Sequence, residues 1–309
     1  MNASPIYAGI EGGGTKYVCA LSDGRSPELI ARVSFPTLNN PEATLGACVA
    51  WLRNQQAAHG RIAAVGVGSF GPIDLDKKSP TYGRITTTPK PGWQDADVAG
   101  AFASELKVPV GFDTDVNVAA LGEREWGAGR GLNNLVYITI GTGIGGGALL
   151  NGEPIHGLLH PEMGHIRVCR NPAEDPFEGI CPVHGDCWEG LCSGPAIEKR
   201  CGAPAQDLSP DNPVWGKVAH YTSVALTNII FTLSPERIIL GGSVPKGGQL
   251  GRDKFMAMVR AETTKALNGY LKVPALLEHM DEYIVPPGLG DNAGVCGAIV
   301  LAMRAERGA

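Results

Sequence analysis

A chain of 309 residues, 43% hydrophobic and 18% charged, is long enough for about two folded domains with buried cores. Its formal net charge of −5 and the lack of any basic block argue against a nucleic-acid partner, and no apolar run approaches the ~18 residues of a membrane span. MNASPIYAGIEGGG at the start carries no basic stretch followed by a long apolar core, so no secretory leader is expected, and eight cysteines without one point to the cytoplasm.

The opening IYAGIEGGGTKYVCALSDG predicts a strand, a glycine bend, a second strand and an Asp23-Gly24 turn, a dipeptide that favours hairpins between apolar runs. ELIARVSFPT predicts a third strand. A helix is expected over NPEATLGACVAWLRNQQAAHG, with Asn40 as its cap, Pro41 in its first position and Gly60 beyond its end. IAAVGVGSFGPID reads as an apolar strand entering a glycine loop, and residues 75–93 read as loop. DADVAGAFASELK predicts a helix, PVGFDTD a short strand, and VNVAALGEREWGAG the start of a third helix. NLVYITIGTGIGGGALLNGEP then repeats the opening: strand, glycine bend, strand and an Asn151-Gly152 turn. Bend to turn runs from Gly12 to Asp23 in one copy and from Gly141 to Asn151 in the other. That reads as duplication of one hairpin, with two ordinary hairpins as the plainer alternative. VWGKVAHYTSVALTNIIFTLS predicts a long helix, RIILGGSV a buried strand, DKFMAMVRAETTKAL a helix, and GDNAGVCGAIVLAMRAER a terminal helix capped by Asp291 or Asn292. Alternating strands and helices make the class α/β, dividing near residue 118, with the last helix returning to the first half.

The 43 glycines gather in clusters after apolar runs. Glycine lets backbone N–H groups approach phosphate oxygens, so three loops are candidates: Gly12-Gly13-Gly14-Thr15-Lys16, Gly141-Thr142-Gly143 and Gly241-Gly242-Ser243. GTGIGG and GVGSFG both match the dinucleotide pattern G-x-G-x-x-G, but neither opens a helix as that motif must. EGGGTK is not a P-loop, because Thr15 separates the glycines from Lys16. The two hairpin bends, each with a threonine hydroxyl beside its backbone donors, suit a triphosphate gripped from two sides; tight turns alone are the plainer reading. Lys16 reads as a solvated lysine at least as readily as a phosphate ligand and stays outside the set.

Asp113, Asp115 and Asn117 lie between a strand and a helix, where ligands bind in α/β sheets. A carboxylate there can accept a proton from an attacking hydroxyl, or can merely cap the helix, and the local sequence supports both readings. Cys181, His184 and Cys187 form a C-x2-H-x2-C knuckle, with His165 upstream. Two Cys and two His make a closed tetrahedral zinc set without an open position for water; Cys169 and Cys192 are substitutes should His165 serve elsewhere.

Through GIEGGGTK, TDVNVAALGE, IGTGIGGGALLNGEPIHGLLHPEMGH and IILGGSV, the chain resembles the ROK family of sugar kinases over nearly its whole length. GVGSFGPID, TPKPGW, CPVHGDCWEGLCSGPAI and YIVPPGLGDNAG are most similar to the family's zinc-containing bacterial fructokinase branch. The resemblance implies a two-domain actin-like ATPase (ribonuclease H-like) α/β fold with an interdomain cleft. Residues 1–118 with 292–309 would form a smaller N-terminal domain, and 119–291 a larger one carrying the zinc motif. ATP with Mg²⁺ would lie against Gly12, Gly13, Gly14, Thr15, Thr142, Gly143, Gly241 and Gly242. Asp115 would accept the proton of the sugar 6-hydroxyl, with fructose 6-phosphate as product. Asn117, Glu162, His165 and Glu189 become candidates near the sugar, with Ser69, Phe70 and Gly71 on the other wall. A structural zinc on His165, Cys181, His184 and Cys187, and a homodimer, are also implied. Many family members carry Asp where Glu11 stands and Asn where Thr114 stands; the fructokinase branch uses Glu and Thr. The alternatives are a ROK kinase for glucose, mannose or an N-acetylhexosamine, and a non-catalytic sugar-sensing protein. The family's repressors carry a helix-turn-helix ahead of this fold, for which a glycine loop beginning at residue 11 leaves no room.

Overall fold

The structure is a computed structural model that describes residues 5–308, so residues 1–4, part of the expected leader-free start, and residue 309 lie outside it. In chain order the elements begin with β1 (Ile6–Gly12), β2 (Lys16–Ser22), β3 (Ala31–Pro36), α1 (Pro41–His59) and β4 (Ile62–Ser69). Next come α2 (Val98–Leu106), β5 (Val110–Thr114), α3 (Asp115–Trp126), β6 (Leu135–Ile140), β7 (Ile144–Leu150) and β8 (Glu153–Pro154). The remainder are α4 (Trp188–Cys192), α5 (Gly194–Cys201), α6 (Val214–Leu233), β9 (Arg237–Gly241), α7 (Arg252–Leu267), α8 (Pro274–Leu277), α9 (Met280–Tyr283), β10 (Ile284–Val285) and α10 (Ala293–Arg307). Among the described residues no helix is long and apolar enough to cross a membrane.

Two five-stranded sheets run β3-β2-β1-β4-β5 and β10-β9-β6-β7-β8. Written from the third strand of each, the orders are the same, so the hairpin likeness seen in sequence extends to whole sheets. In both, the third strand pairs antiparallel with the second, and the last two add parallel to the first. The Asp23-Gly24 turn does not close a tight hairpin: residues 23–30 intervene, and Ile30 N–H returns to the Leu21 carbonyl at 2.7 Å. Asn151-Gly152 does make the tight turn, with both φ angles positive, and β8 follows at once.

The chain forms two compact units. The first takes in residues up to Gly131, Gly147–Pro161 and those from Gly288 onward; the second is Leu132–Gly146 with Glu162–Pro287. This division differs from the expected one at residue 118. All of α3 stays with the first unit, because Gly122 and Gly297 let α3 and α10 touch backbone to backbone. Residues 147–161 join it as well: His160 Nε2 accepts from Ile73 N–H at 3.1 Å, and Gly147 sits against the carbonyl of Val116.

In the first unit, alternation along the strands sends Ile10, Val67 and Phe112 into one core with Leu52 of α1 and Phe102 of α2. The residues between them face the other way. Gly9, Gly66 and Gly111 stand in register across β1, β4 and β5. A Cβ at Gly66 would overlap the Ala298 carbonyl, one at Gly111 would lie 2.7 Å from Leu301, and one at Gly9 2.5 Å from the Val295 carbonyl. The glycine row thus makes a flat seat for α10. In the second unit α6 and α7 bury Trp215 and Phe255 edge to face, ring centroids 6.0 Å apart.

Helix caps follow the sequence in part. Asn40 Oδ1 accepts from Ala43 N–H, with Pro41 at the first position. Asn292 is the cap position of α10 but makes no side-chain cap bond, and a short 3-10 turn over Gly290–Asn292 leads in.

Candidate active site and metal cluster

The β5–α3 junction carries the catalytic candidate. Thr114 is the cap of α3, its Oγ accepting from Asn117 N–H at 3.1 Å. Capping is therefore done by Thr114, which leaves Asp115 in the first helical position with Oδ1 on the Val116 N–H at 2.9 Å. Negative charge is favoured at a helix N-terminus. Asp115 is half-buried, while Asn117 and Asp113 are fully buried. Gly147 of β7 makes this turn accessible to a neighbouring strand, since a Cβ there would lie 2.6 Å from Asn117 N.

Beside it in the same unit is the β1–β2 bend. Gly12 lies over the Tyr17 ring, where a Cβ would come within 2.6 Å. Gly13 N–H is spent on the Lys16 carbonyl at 2.9 Å, so Gly13 shapes the bend and has no free donor. Gly14 and Thr15 form its exposed tip, held from below by Thr37, whose N–H and hydroxyl reach the Thr15 and Gly13 carbonyls. Phe70 N–H donates to the Gly12 carbonyl at 2.7 Å, which ties the Ser69-Phe70-Gly71 loop to the bend. Ser69 is buried and its hydroxyl turns back to the Phe70 carbonyl; Phe70 meets Trp93 edge to face, and Gly71 precedes a cis Pro72 under the His160 ring. Glu11 ends β1. Burial raises its carboxyl above the usual range, opposed by Lys16 and Arg32 and reinforced by Asp291.

The second unit holds the other glycine loops. Gly141 N–H bonds the Gly143 carbonyl, and Gly194 N–H at the start of α5 bonds the Gly141 carbonyl at 2.7 Å. Thr142 is the exposed tip. Glu189 of α4 docks on this loop: its Oε2 accepts from Ile144 N–H at 2.8 Å, and a Cβ at Gly143 would crowd it at 2.7 Å. Gly164 lies against the Ile144 carbonyl, so the exposed Glu162 stands on a turn packed on the same strand end. A cavity of about 490 Å³ is lined by Gly141, Thr142, Gly194, Glu198, Gln206, Ser243 and Lys246, among others. Gly241 and Gly242 are not in its lining. Gly242, at φ +97, packs on the backbone of Ile140 and makes the turn that delivers Ser243 and Val244 to the wall.

Sequence reasoning missed Glu198, Gln206 and Lys246, polar wall residues that belong to none of the motifs singled out in the sequence. It also missed His156, whose Nε2 sits 3.0 Å from Asp113 Oδ2. The four metal candidates converge fully: one ligand atom from each of His165, Cys181, His184 and Cys187 lies within 4.8 Å of every other. His165 Nδ1 is 3.5 Å from Cys187 Sγ and 3.9 Å from Cys181 Sγ, and His184 Nδ1 is 3.6 Å from Cys181 Sγ. Tetrahedral zinc with bonds of about 2.0 Å to nitrogen and 2.3 Å to sulfur needs N–S edges of about 3.6 Å, so the donor set fits that ion. A tight turn from Cys181 to Gly185 holds the knuckle, and Asp186 braces it through Arg167 at 2.6 Å and Arg170 at 3.2 Å.

Two sheets of one strand order give the chain an α/β fold of the actin-like class, and its relatives place it among the ATP-dependent sugar kinases. The ROK family model matches residues 7–305, and the chain belongs to the ROK family. It is 44% identical to the fructokinase of Zymomonas mobilis over 99% of both chains, and 40% identical to that of Pediococcus pentosaceus over 98% of this chain and all of the other. Among solved structures, the ROK hexokinase of Thermus thermophilus superposes with a TM-score of 0.78 over 98% of this chain and 100% of its own, at 24% identity.

Proposed function

We propose that this chain transfers the γ-phosphoryl group of ATP to the 6-hydroxyl of D-fructose. The observation that carries the chemistry is the β5–α3 turn, where Thr114 does the capping and Asp115 keeps a carboxylate at the helix start. Asp115 accepts the hydroxyl proton as the sugar oxygen bonds to phosphorus and the bond to the β-phosphate oxygen breaks, leaving ADP. The fructokinases of Z. mobilis and P. pentosaceus support fructose as acceptor. Asn117, Glu162 and Glu189 are read as sugar-side residues, with Ser69, Phe70 and Gly71 opposite them in role. Gly14, Thr15 and Thr142 are the exposed tips suited to phosphate, while Gly12, Gly13, Gly143, Gly241 and Gly242 shape the backbone that presents such groups. Mg²⁺, when bound with ATP, neutralises charge on the transferring phosphates. Glu11 is the hard oxygen donor at the foot of the first loop, and its raised pKa beside Asp291 fits a carboxyl relieved by a cation. Zinc on His165, Cys181, His184 and Cys187 is read as structural, because four protein ligands leave no position for substrate.

A cytoplasmic setting is read from the eight cysteines of the sequence, and the exposed Phe231–Tyr270 pair is an apolar surface that supports a homodimer, checked by sedimentation. The deciding experiment supplies purified protein with ATP, Mg²⁺ and a panel of hexoses. Fructose 6-phosphate is the expected product. Fast transfer to glucose, mannose or an N-acetylhexosamine with none to fructose would overturn the sugar assignment. Binding without transfer to any hexose would leave the sugar-sensing reading.

A further inference from the structure

Asp113 is the most enclosed carboxylate near the proposed base, only 2% exposed. Its Oδ1 accepts from Thr114 N–H and from Asn117 Nδ2, each at 2.7 Å. Its Oδ2 faces His156 Nε2 at 3.0 Å. A carboxylate with these partners can only accept, and that constraint fixes its neighbours. Asn117 must turn its amide NH₂ toward Asp113, so its carbonyl Oδ1 points the other way. That oxygen has no hydrogen-bond partner although the residue is 1% exposed. His156 Nε2 must carry a proton to reach Asp113. It lies 3.5 Å from Asn117 Nδ2, and two donors this close are compatible only because both converge on the same carboxylate. Buried polar atoms are rarely left unpaired unless a ligand or water serves them.

We propose that Asp113 and His156 are positioning residues that lock the Asn117 amide with its carbonyl oxygen set to accept a hydroxyl of the sugar. This rests on the sugar-kinase reading, which places Asn117 beside the acceptor. Neither member of the pair touches substrate; each acts through the amide orientation. Without the carboxylate, the amide is free to flip and present a donor where an acceptor is required. Among titratable groups, Tyr82 also faces Asp113. Burial raises the Tyr82 phenol first, and the Asp113 charge adds to it. The hydrogen bond to Asp113 raises the His156 imidazole above its ordinary value, opposed by burial, so the imidazolium form strengthens the contact.

The test compares Asp113→Asn, His156→Gln, Asn117→Ala and the Asp113→Asn/Asn117→Ala double variant with wild type. Fructose affinity is measured by calorimetry without ATP, and KM values for fructose and ATP by steady-state kinetics. Asp113→Asn is expected to raise the fructose Kd and KM about tenfold, while the ATP KM stays within about twofold. Added to Asn117→Ala it should cost nothing further, because both changes remove one function. His156→Gln should raise the fructose KM about threefold and flatten its pH dependence. Unchanged fructose affinity in Asp113→Asn, or effects that add in the double variant, would sink the idea. If Asp113→Asn fails to melt cooperatively, His156→Gln decides alone, and an unchanged fructose KM and pH profile overturn it. A wild type that binds no hexose overturns both this inference and the functional reading. A wild type that binds and phosphorylates, beside an Asp113→Asn variant of equal affinity, overturns this one only.

Discussion

Asp115 and Asp113 are two residues apart and differ in everything that decides a carboxylate's work. Asp113 is sealed in and fully engaged by donors, whereas Asp115 is half-buried at the first turn of α3. Of the two carboxylates, Asp115 is the one left free enough in its surroundings to serve as the base. Asp115→Ala is therefore expected to lower kcat about 10²–10⁴-fold, the range for removing a general base, with the affinity for an ATP analogue preserved. Near-normal kcat in a rapid-quench assay would reject the assignment. The pH behaviour sits on His156. Its folded pKa is raised, so its contribution to the Asp113 contact is full below about pH 6.5 and is lost as pH rises through the raised value. The fructose KM of the wild type should accordingly climb on the alkaline side of that value while the ATP KM does not follow. No spacing rule in the sequence joins His156 to Asp113. They lie 43 residues apart on different elements, and only the fold shows that they meet. The four members of the His/Cys cluster, by contrast, were legible as a group because three share one short loop with fixed spacing.

The elements owe their places to positions where a side chain is missing. Gly9, Gly66 and Gly111 form a row on neighbouring strands, and α10 rests on it. Each strand reads as apolar in sequence, and the glycine in its middle carries no sign there of a helix seat. Its use appears only when the three strands are set side by side. In an ordinary strand Gly→Ala would stabilise by restricting the unfolded chain, by about 0.4–1 kcal/mol. At Gly66 the new methyl would overlap the Ala298 carbonyl, so α10 must shift or the strand must bend. Gly66→Ala is expected to destabilise by about 1–3 kcal/mol, the usual cost of overpacking, read as a lower urea midpoint at unchanged m-value. An unchanged or raised midpoint would show that α10 is not seated as described. Gly241 and Gly242 likewise shape backbone rather than present side chains. Their pattern marks a turn beside a cavity, while the wall includes Ser243 of that same loop and Lys246, Glu198 and Gln206, which no motif in the sequence marks.

Across the molecule, the two sheets share one topology, yet among the described residues the metal-type cluster lies in the second unit alone. All four ligands fall between residues 165 and 187, in a stretch with little regular structure: a 3-10 turn, isolated bridges and the short helix α4. Such a segment buries few apolar side chains of its own, Trp188 being the main exception. In the zinc reading its order comes from the cross-link together with the bonds of Asp175 to Arg200 and Tyr221, as metal binding and folding are coupled where a preformed site is absent. The first unit has a large continuous core around Ile10, Val67, Leu52 and Phe102, and no ligand of the cluster belongs to it. Chelation should therefore act unevenly along the chain. Incubation with a strong zinc chelator is expected to open residues 162–190 to limited proteolysis first, with a fragment covering β1 to α3 persisting. Fructose affinity should fall with that cleavage, because Glu162 and Glu189 flank the ligands and Glu189 also fixes the Ile144 N–H. Cleavage spread evenly over both units, or full fructose affinity in metal-free protein, would mean that packing alone holds the segment and that zinc is dispensable to the sugar-side residues.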